Sequence, residues 1–393
     1  MKPLTPHILE TPVAGIKRMT DIALTMPSGR SRPPCIRLEI GDSDFDTPEH
    51  IREAGIRATR EGKTHYTDKP GTMELREAIA EKLQRENGLE YRPADEICVT
   101  QGGMGSVFTA LATLVAPGEE VLISDPAWPE FLGIIATTGA RAVPVPVREA
   151  DGFNLTAAAI EDRLTPRSKL ILLNSPHNPT GGVMTRDSLA AIAELAETHD
   201  LYVLSDELYE KLIYDDAEHL SFAALPGMWE RTVTTNALSK VYAMTGWRIG
   251  YSAAPRRIME QIHKVHYYTA TCCNAMAQEA ALAAITGPQD CVEEMRQEFL
   301  ARRDLLVAGL NEIPGFSCRP PLGAFYVFCN VGELGVPSEE LALRILREAE
   351  VSTVPGVYFG ANGEGFLRLT YCNSRDNIAE ALRRIARLLS SAP

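Results

Sequence analysis

The feature that most constrains the fold of this chain is the alternation of short apolar segments with helical patterns through its middle. Six segments of strand length follow one another, at residues 97–101, 120–125, 141–147, 169–176, 201–207 and 231–236. Helical spacing occurs at residues 104–116, near 130–138, and after Thr185, which is a typical N-cap residue. This order predicts a mainly parallel sheet that is covered by helices on both faces.

The last hundred residues follow a different pattern, which predicts a second, smaller domain. A charged helix, a strand in "GAFYVF", a further helix, the segments "VSTVP" and "GFLRLTYC" and an amphipathic helix follow one another from about residue 288. Residues 1–45 carry no strong sheet pattern and are expected to pack on this part, with a loop at residues 28–34. We therefore predict an α/β fold with a three-layer αβα large domain at residues 46–288. Residues 1–45 and 289–393 would form the small α+β domain.

Distinct polar groups follow the ends of three predicted strands. "SPHNPTG" follows "ILLN", "DELY" follows "YVLS", and "ALSK" follows "VTTN". Ligands of such sheets bind beyond the carboxyl ends of the strands. Lys240 in "ALSKVYAM" lies among small and apolar residues, and a buried lysine is costly unless it is paired or used. We therefore predict a ligand site that includes Lys240.

Composition excludes several classes of partner. The net charge of −13 and the pI of about 5.2 argue against nucleic acid or an anionic membrane. The sequence has no signal-peptide pattern at residues 1–10 and no apolar run long enough to span a bilayer. Its eight cysteines form no CxxC pair and its histidines have no zinc spacing, so we expect no metal site. Free, mostly buried thiols in a reducing cytoplasm are the expectation for the cysteines.

Five motifs in order along nearly the whole chain carry a family resemblance. "SDFDTP", "NSPHNPTGG", "SDELYE", "SKVYAMTGWRIGY" and "FLRLTY" resemble those of the class I and II aminotransferases. These are fold-type-I pyridoxal phosphate (PLP) enzymes of the aspartate aminotransferase superfamily. The resemblance implies PLP as the cofactor, a homodimer with shared active sites, and amino and oxo acids as small-molecule partners.

Three residues are implied to be catalytic. Lys240 would bind the cofactor covalently and then act as the base that moves a proton during the reaction. Asp206 would keep the pyridine nitrogen of PLP protonated, although an aspartate after a strand is also a common helix N-cap. Tyr209, together with Asn178, would hydrogen-bond the phenolic oxygen of PLP. Asn178 taken alone could equally be a turn residue before proline.

The other cofactor contacts implied by the resemblance surround the phosphate and one face of the ring. The backbone amides of Gly103 and Met104, at a strand-to-helix junction, would bind the phosphate with Arg248. Tyr66 would reach the phosphate of the partner subunit. Trp128 would stack on the pyridine ring and face the substrate, with a plain core tryptophan as the rival interpretation.

The substrate carboxylate calls for a planar, two-pronged donor, and Arg368 matches the family's arginine. Arg368 alternates with apolar residues on a predicted strand, where a buried cation needs an anion. Gly41 resembles the family glycine whose backbone lies near the same carboxylate, with a plain turn glycine as the alternative. Asn178 and Trp128 complete the implied substrate contacts.

The resemblance implies a ping-pong exchange of an amino group between a 2-amino acid and a 2-oxo acid. Some aspartate-using relatives carry a lysine where this chain has Met104, so we expect a neutral or apolar donor. The alternative is a PLP-dependent carbon–sulfur or cyclising lyase of the same fold. A non-enzymatic binding protein is disfavoured because Lys240, Asp206, Arg248 and Arg368 are all present. We also expect a cis peptide before Pro126, Pro179 or both.

Overall fold

The computed structural model describes residues 4–9, 11, 15–26 and 34–390, so all but the end of the predicted loop at residues 28–34 lies outside the described residues. The described ranges contain twelve strands: β1 (Ile36–Arg37), β2 (Ile97–Thr100), β3 (Glu120–Asp125), β4 (Arg141–Pro146), β5 (Ser168–Asn174), β6 (Tyr202–Asp206), β7 (Thr232–Ala237), β8 (Gly250–Ala253), β9 (Tyr326–Asn330), β10 (Val351–Ser352), β11 (Val354–Pro355) and β12 (Phe366–Thr370).

Fourteen α-helices lie in the same ranges: α1 (Pro6–Leu9), α2 (Gly15–Thr25), α3 (Glu49–Arg60), α4 (Met73–Lys82), α5 (Gly102–Leu114), α6 (Pro129–Thr137), α7 (Ala157–Glu161), α8 (Arg186–Thr198), α9 (Leu238–Val241), α10 (Arg256–Ala270), α11 (Ala275–Thr286), α12 (Asp290–Asn311), α13 (Ser338–Arg344) and α14 (Arg375–Ser390). π-helical turns at Leu83–Asn87 and Ile345–Ala349 continue α4 and α13. Short 3₁₀ segments occupy Glu149–Asp151, Phe222–Ala224, Trp229–Arg231, Thr245–Trp247, Gly332–Leu334, Gly356–Phe359 and Ala361–Gly363.

The large sheet has the strand order β2-β8-β7-β6-β5-β3-β4. Strands β3 to β7 run parallel, whereas β8 is antiparallel to both of its neighbours. Successive residues of β5 enter different cores, because Leu170 and Leu172 pack on one side of the sheet and Ile171 and Leu173 on the other. Apolar cores on both faces explain why this strand reads as a nearly continuous apolar run.

The remaining strands form two smaller sheets. The order β11-β12-β9 is antiparallel, and β1 pairs in parallel with β10, with Ile36 opposite Val351. Residues from both ends of the chain share one hydrophobic core, in which Met19 and Leu38 accompany Phe299 and Leu369. Met19 and Leu38 thus pack against the C-terminal part, whereas the assignment of residues 1–45 as a whole to the small domain stays a prediction. The domain boundaries at residues 46 and 288 stay a prediction.

Most local predictions agree with the structure to within a few residues. The α/β class with a mainly parallel sheet is confirmed, and Thr185 caps α8 by accepting a hydrogen bond from the Ser188 amide at 3.2 Å. The helix predicted at residues 338–350 has a π-helical second half, because α13 gives way to Ile345–Ala349. Both predicted cis peptides are present, before Pro126 and Pro179, and a third precedes Pro176.

Two expectations from composition can be compared with the described residues. All eight cysteines are free, and five of them are buried. Among the helices that the structure describes, none has the length and hydropathy of a membrane-spanning segment.

Candidate active site

A cavity of about 260 Å³ opens where β5, β6 and β7 end. Ten of the eleven predicted site residues line it: Gly41, Gly103, Met104, Trp128, Asn178, Asp206, Tyr209, Lys240, Arg248 and Arg368. The eleventh, Tyr66, is 86% exposed and lies outside the cavity wall of this single chain. The three strand ends therefore deliver their polar groups to one place, as predicted.

Lys240 lies on the short helix α9, which follows directly from the end of β7. Its Nζ donates a hydrogen bond to the carbonyl oxygen of Gly41 at 2.6 Å, and it takes part in none of the ion pairs found among the described residues. Burial lowers the pKa of the Lys240 ammonium, and Arg248 and Arg368 act in the same direction. The lowered pKa makes this lysine easier to deprotonate, and the deprotonated amine is the nucleophile.

Asp206 ends β6 and is buried in the cavity wall. Its two carboxylate oxygens accept hydrogen bonds from Asn174 Nδ2 at 3.2 Å and from Thr235 Oγ1 at 3.4 Å. Burial raises the pKa of Asp206 from 3.8 to about 7, and neighbouring Glu207 adds to the effect. A cationic group placed against this carboxylate would lower the pKa again, so the position favours a positively charged ring nitrogen.

The N-terminus of α5 and Arg248 lie against one another at another part of the cavity. Gly102 has φ +70°, which favours glycine, and a Cβ there would lie 2.6 Å from Arg248 Nη2, so a larger residue would push the guanidinium away from the first turn of the helix. Arg248 itself is exposed and donates to the carbonyl of Thr245 at 2.9 Å. The first amides of a helix have no partner within it, and with a neighbouring cation they form an anion site.

Arg368 lies on β12 and is only 2% exposed. Its Nη1 donates to Asn178 Oδ1 at 3.1 Å and its Nη2 donates to the backbone carbonyl of Glu39, whereas its Nε has no partner. The guanidinium lies 4.4 Å from the ring centre of Tyr326 and 4.9 Å from that of Phe359. No carboxylate of the described residues forms an ion pair with it, so this buried cation is available for an anionic ligand.

The cavity is also lined by residues that the sequence interpretation did not identify, among them Glu130, Asn174, Ser239 and Tyr326. Asn174 accepts the Asn178 amide at 2.9 Å, and the hydroxyl groups of Tyr326 and Tyr209 lie 3.0 Å apart. Asn174 could have been found as the last residue of a strand, and Ser239 as the residue before the lysine. Tyr326 carried no such signal, because it follows Phe325 in an apolar strand.

These groups fit PLP, which offers an aldehyde, a basic ring nitrogen, a phenolic oxygen and a phosphate. The lysine amine lacks an acidic partner, the carboxylate of Asp206 has a raised pKa, and a helix N-terminus faces a guanidinium. The indole of Trp128 lies in the wall beside them, packed edge-on against Phe131 with ring centres 5.0 Å apart. The aldehyde, the ring nitrogen and the phosphate of the cofactor therefore each have a matching group in this cavity.

Comparison with known proteins agrees with this assignment. The sequence profile of the family described as aminotransferase class I and II matches residues 33–385. The chain belongs to this family. It is 42% identical to the aspartate aminotransferase of Pyrococcus abyssi, over 95% of each chain. It is 41% identical to aromatic-amino-acid aminotransferase 2 of Thermococcus litoralis, over 90% of this chain and 91% of that protein.

A solved structure extends the likeness to three dimensions. The structure of aspartate aminotransferase from Thermus thermophilus with maleate matches with a TM-score of 0.93 at 38% identity, over 99% of this chain and 100% of that one. The fold is therefore that of the fold-type-I aminotransferases, and the enzyme is a PLP-dependent aminotransferase. The comparisons support this activity and not the lyase alternative.

Proposed function

We propose that this aminotransferase moves an amino group between a neutral or apolar 2-amino acid and a 2-oxo acid by a ping-pong mechanism. The observation that carries the proposal is the presence of Lys240 and Arg368 in one cavity, both without a carboxylate partner among the described residues. The amine of Lys240, once it has lost its proton, can react with a carbonyl compound. The guanidinium of Arg368 can bind the carboxylate of an amino acid. A simple amine would lack the group that Arg368 needs.

Lys240 and Asp206 are proposed as the residues that move and balance protons. Bound PLP supplies an electron sink for the substrate carbon. Lys240, whose amine loses its proton more easily because burial lowers its pKa, would take a proton from that carbon and deliver it to the carbon that receives the amino group. Asp206 would hold the proton on the ring nitrogen, because a buried carboxylate is stabilised by an adjacent positive charge.

The remaining residues are proposed to orient the cofactor. Tyr209 and Asn178 would donate to its phenolic oxygen, and the amides of Gly103 and Met104 with Arg248 would bind the phosphate. The side chain of Ser239, in the same wall, is an additional donor for the phosphate. Trp128 would cover one face of the ring.

The substrate end of the cavity supports a neutral or apolar donor. Arg368 would bind the α-carboxylate, with the backbone of Gly41 beside it and Asn178 and Trp128 completing the pocket. Met104 lines the cavity and is 42% exposed, and a thioether cannot pair with a second carboxylate. The side chain of the donor would instead contact apolar groups.

A homodimer with shared sites is part of the proposal. Tyr66 is 86% exposed and Tyr268 is 84% exposed, which is unusual for large aromatic side chains unless another surface covers them. Tyr66 would then contact the phosphate bound by the partner subunit. Mixing the inactive Tyr66→Ala and Lys240→Ala variants under subunit exchange should restore part of the activity. A mixture that stays inactive, or a native protein that is an active monomer, would exclude shared sites.

Two finer points complete the proposal. The eight unpaired cysteines support a cytoplasmic location, where thiols stay reduced. Residues 46–288 would form the large PLP-binding domain, with residues 1–45 and 289–393 as the small domain.

The direct test is a screen of single half-reactions. The PLP-loaded protein is mixed with each amino acid in turn, and the absorbance of the bound cofactor is followed without any oxo acid present. Neutral or apolar amino acids should convert it fastest, without release of ammonia. In parallel, borohydride reduction and peptide mapping should place the cofactor on Lys240. Attachment at another residue, or conversion only by aspartate, would contradict the proposal.

A further inference from the structure

Glu130 is a carboxylate in the cavity wall that none of the proposed steps uses. It follows Pro129 at the start of α6 and lines the cavity together with Lys240 and Arg368. Its Oε2 is buried and has no hydrogen-bond partner in the described part of the chain. A buried acceptor without a partner destabilises the protein, and more so when it is charged, so the position calls for a donor from a ligand.

The surroundings of Glu130 belong to the substrate end of the cavity. The charge of Glu130 acts to raise the pKa of Tyr326, whose ring lies against Arg368. In turn, the charges of Arg368 and Lys240 act to lower the pKa of Glu130. The same cavity wall includes the apolar residues Ile16, Ile40 and Phe131. With its carboxylate on Arg368, an amino acid would extend its side chain along an apolar wall that contains one acceptor.

We propose that Glu130 is a specificity-determining residue, which accepts a hydrogen bond from the side chain of the substrate and repels a second carboxylate. This inference rests on the proposed function and names its substrate class: amino acids with an apolar stem that ends in an N–H or O–H donor. Burial raises the pKa of Glu130, while its own backbone amide, Arg368 and Lys240 act in the opposite direction. A glutamate in the first turn of a helix is also favourable for the helix itself, which the test must separate from contact with substrate.

Glutamine and glutamate are matched probes, because their side chains have the same shape and differ only in the terminal group, and leucine is an apolar reference. Half-reactions with the wild-type enzyme should proceed with a higher kcat/KM for glutamine than for glutamate. In Glu130→Gln this ratio should fall at least about tenfold, since a hydrogen bond to a charged group is worth about 1.5–3 kcal/mol. The value for leucine should change by less than about threefold.

Binding of unreactive analogues provides a second readout that does not depend on turnover. Calorimetry would give the dissociation constants of glutarate and of its monoamide, neither of which carries an amino group. Glu130→Gln should bind glutarate more tightly and the monoamide more weakly than the wild-type enzyme. Glu130→Asp, which keeps the charge, should retain the discrimination against glutarate.

Glu49→Gln is the matched control, because Glu49 also follows a proline at the start of a helix but is exposed and outside the cavity. It should alter neither the ranking of amino acids nor the affinities of the analogues. An unchanged ranking and unchanged affinities in Glu130→Gln, or an equal change in Glu49→Gln, would overturn the inference. If no amino acid converts the cofactor of the wild-type enzyme, the proposed function itself fails, whatever the analogues do.

Discussion

Two lysines, the buried Lys82 and the partly buried Lys240, show how the cavity differs from the polar network that surrounds Glu210. Lys82 forms an ion pair with Glu210 and donates to Asn87 Oδ1 at 2.8 Å. Lys240 has a carbonyl oxygen as its hydrogen-bond acceptor and no ion pair among the described residues. Elsewhere in the described chain, the buried Arg302 and Arg303 also have carboxylate partners, whereas Arg368 in the cavity has none.

The difference teaches which buried charges stabilise the fold and which are kept for a ligand. For a buried cation with its own carboxylate, the attraction between the two charges offsets the free-energy cost of desolvation within the protein. A buried cation without one can recover that cost only when an anion or a reactive carbonyl compound binds. The proposed active site therefore lies where ion pairing among the described residues is incomplete.

Exchanging each lysine for methionine tests this comparison most strongly. Lys82→Met should reduce the free energy of unfolding by about 3–5 kcal/mol, because Glu210 is left buried without its partner. Lys240→Met should leave the stability of the cofactor-free protein unchanged or raised, since it removes an unpaired charge. It should, however, lower kcat by about 10²–10⁴-fold or more, the effect of losing a catalytic base.

Urea unfolding of the cofactor-free proteins and single-turnover rates provide the two measurements. The same substitution is thus expected to lower mainly the stability at Lys82 and mainly the activity at Lys240. Equal losses of stability in the two variants would mean that pairing does not distinguish the cavity from the network.

Arg368 sharpens the comparison on the substrate side. Arg368→Ala should raise the KM of every amino acid about 10–100-fold whatever its side chain, because it removes a contact with a charged group that all substrates share. Arg368→Lys should recover only part of the loss, since an ammonium lacks the planar fork. Steady-state kinetics on a panel of amino acids would show this.

Arg303→Ala is the control for this prediction. Arg303 pairs with Asp215 outside the cavity, so its loss should lower the melting temperature and leave KM unchanged. An increase in KM for some amino acids but not others in Arg368→Ala would instead assign Arg368 to side-chain recognition.

The smallest expected effect compares two buried carboxylates, Asp206 in the cavity and Glu210 in the network. Burial would raise the pKa of Glu210, but Lys82 and His219 outweigh it and bring the pKa down to about 2. The pKa of Asp206 in the cofactor-free protein is raised from 3.8 to about 7. The folded protein therefore holds a proton on Asp206 that the unfolded chain has lost, and stability from this group declines as pH rises from about 4 through about 7.

Between pH 5 and pH 7, the wild-type protein should lose up to about 1.4 kcal/mol per pH unit relative to Asp206→Asn. Loading with PLP should remove this slope, because a protonated ring nitrogen would lower the pKa of Asp206. Unfolding free energies measured at three pH values, with and without cofactor, test both statements. A slope that persists in Asp206→Asn would assign it to another group.

Local patterns in the sequence were sufficient for most of the fold and for the charged part of the site. Lys240 and Arg368 stand out because each is a cation in an apolar segment, which has few explanations other than a ligand. Strand β8 was not predicted, because its four residues "GYSA" are too short for either a periodic or a continuous apolar signal. The antiparallel direction of β8 is set by its pairing with β2 and β7, which a local sequence pattern does not reveal.

The missed residues have a common physical cause. Glu130 has the position of an ordinary first-turn helix acid, and Tyr326 has that of a core aromatic on a strand. Whether such a side chain faces a cavity or a filled core is decided by elements that are distant in sequence. The role of Tyr66 is harder still to infer from the sequence, because its proposed contact lies on a second copy of the chain.

The segment that carries Gly41 has a consequence for the order in which the enzyme is made. This early part of the chain accepts a hydrogen bond from Lys240, 199 residues later, and one at Glu39 from Arg368, 329 residues later. Strand β1 likewise can pair only after β10, near the other end of the chain, has been made. Contacts of such sequence separation form late and slowly. On the ribosome we therefore expect the strand ends that are proposed to hold the cofactor to assemble first, whereas the proposed contacts with the substrate carboxylate form only after nearly the entire polypeptide has emerged.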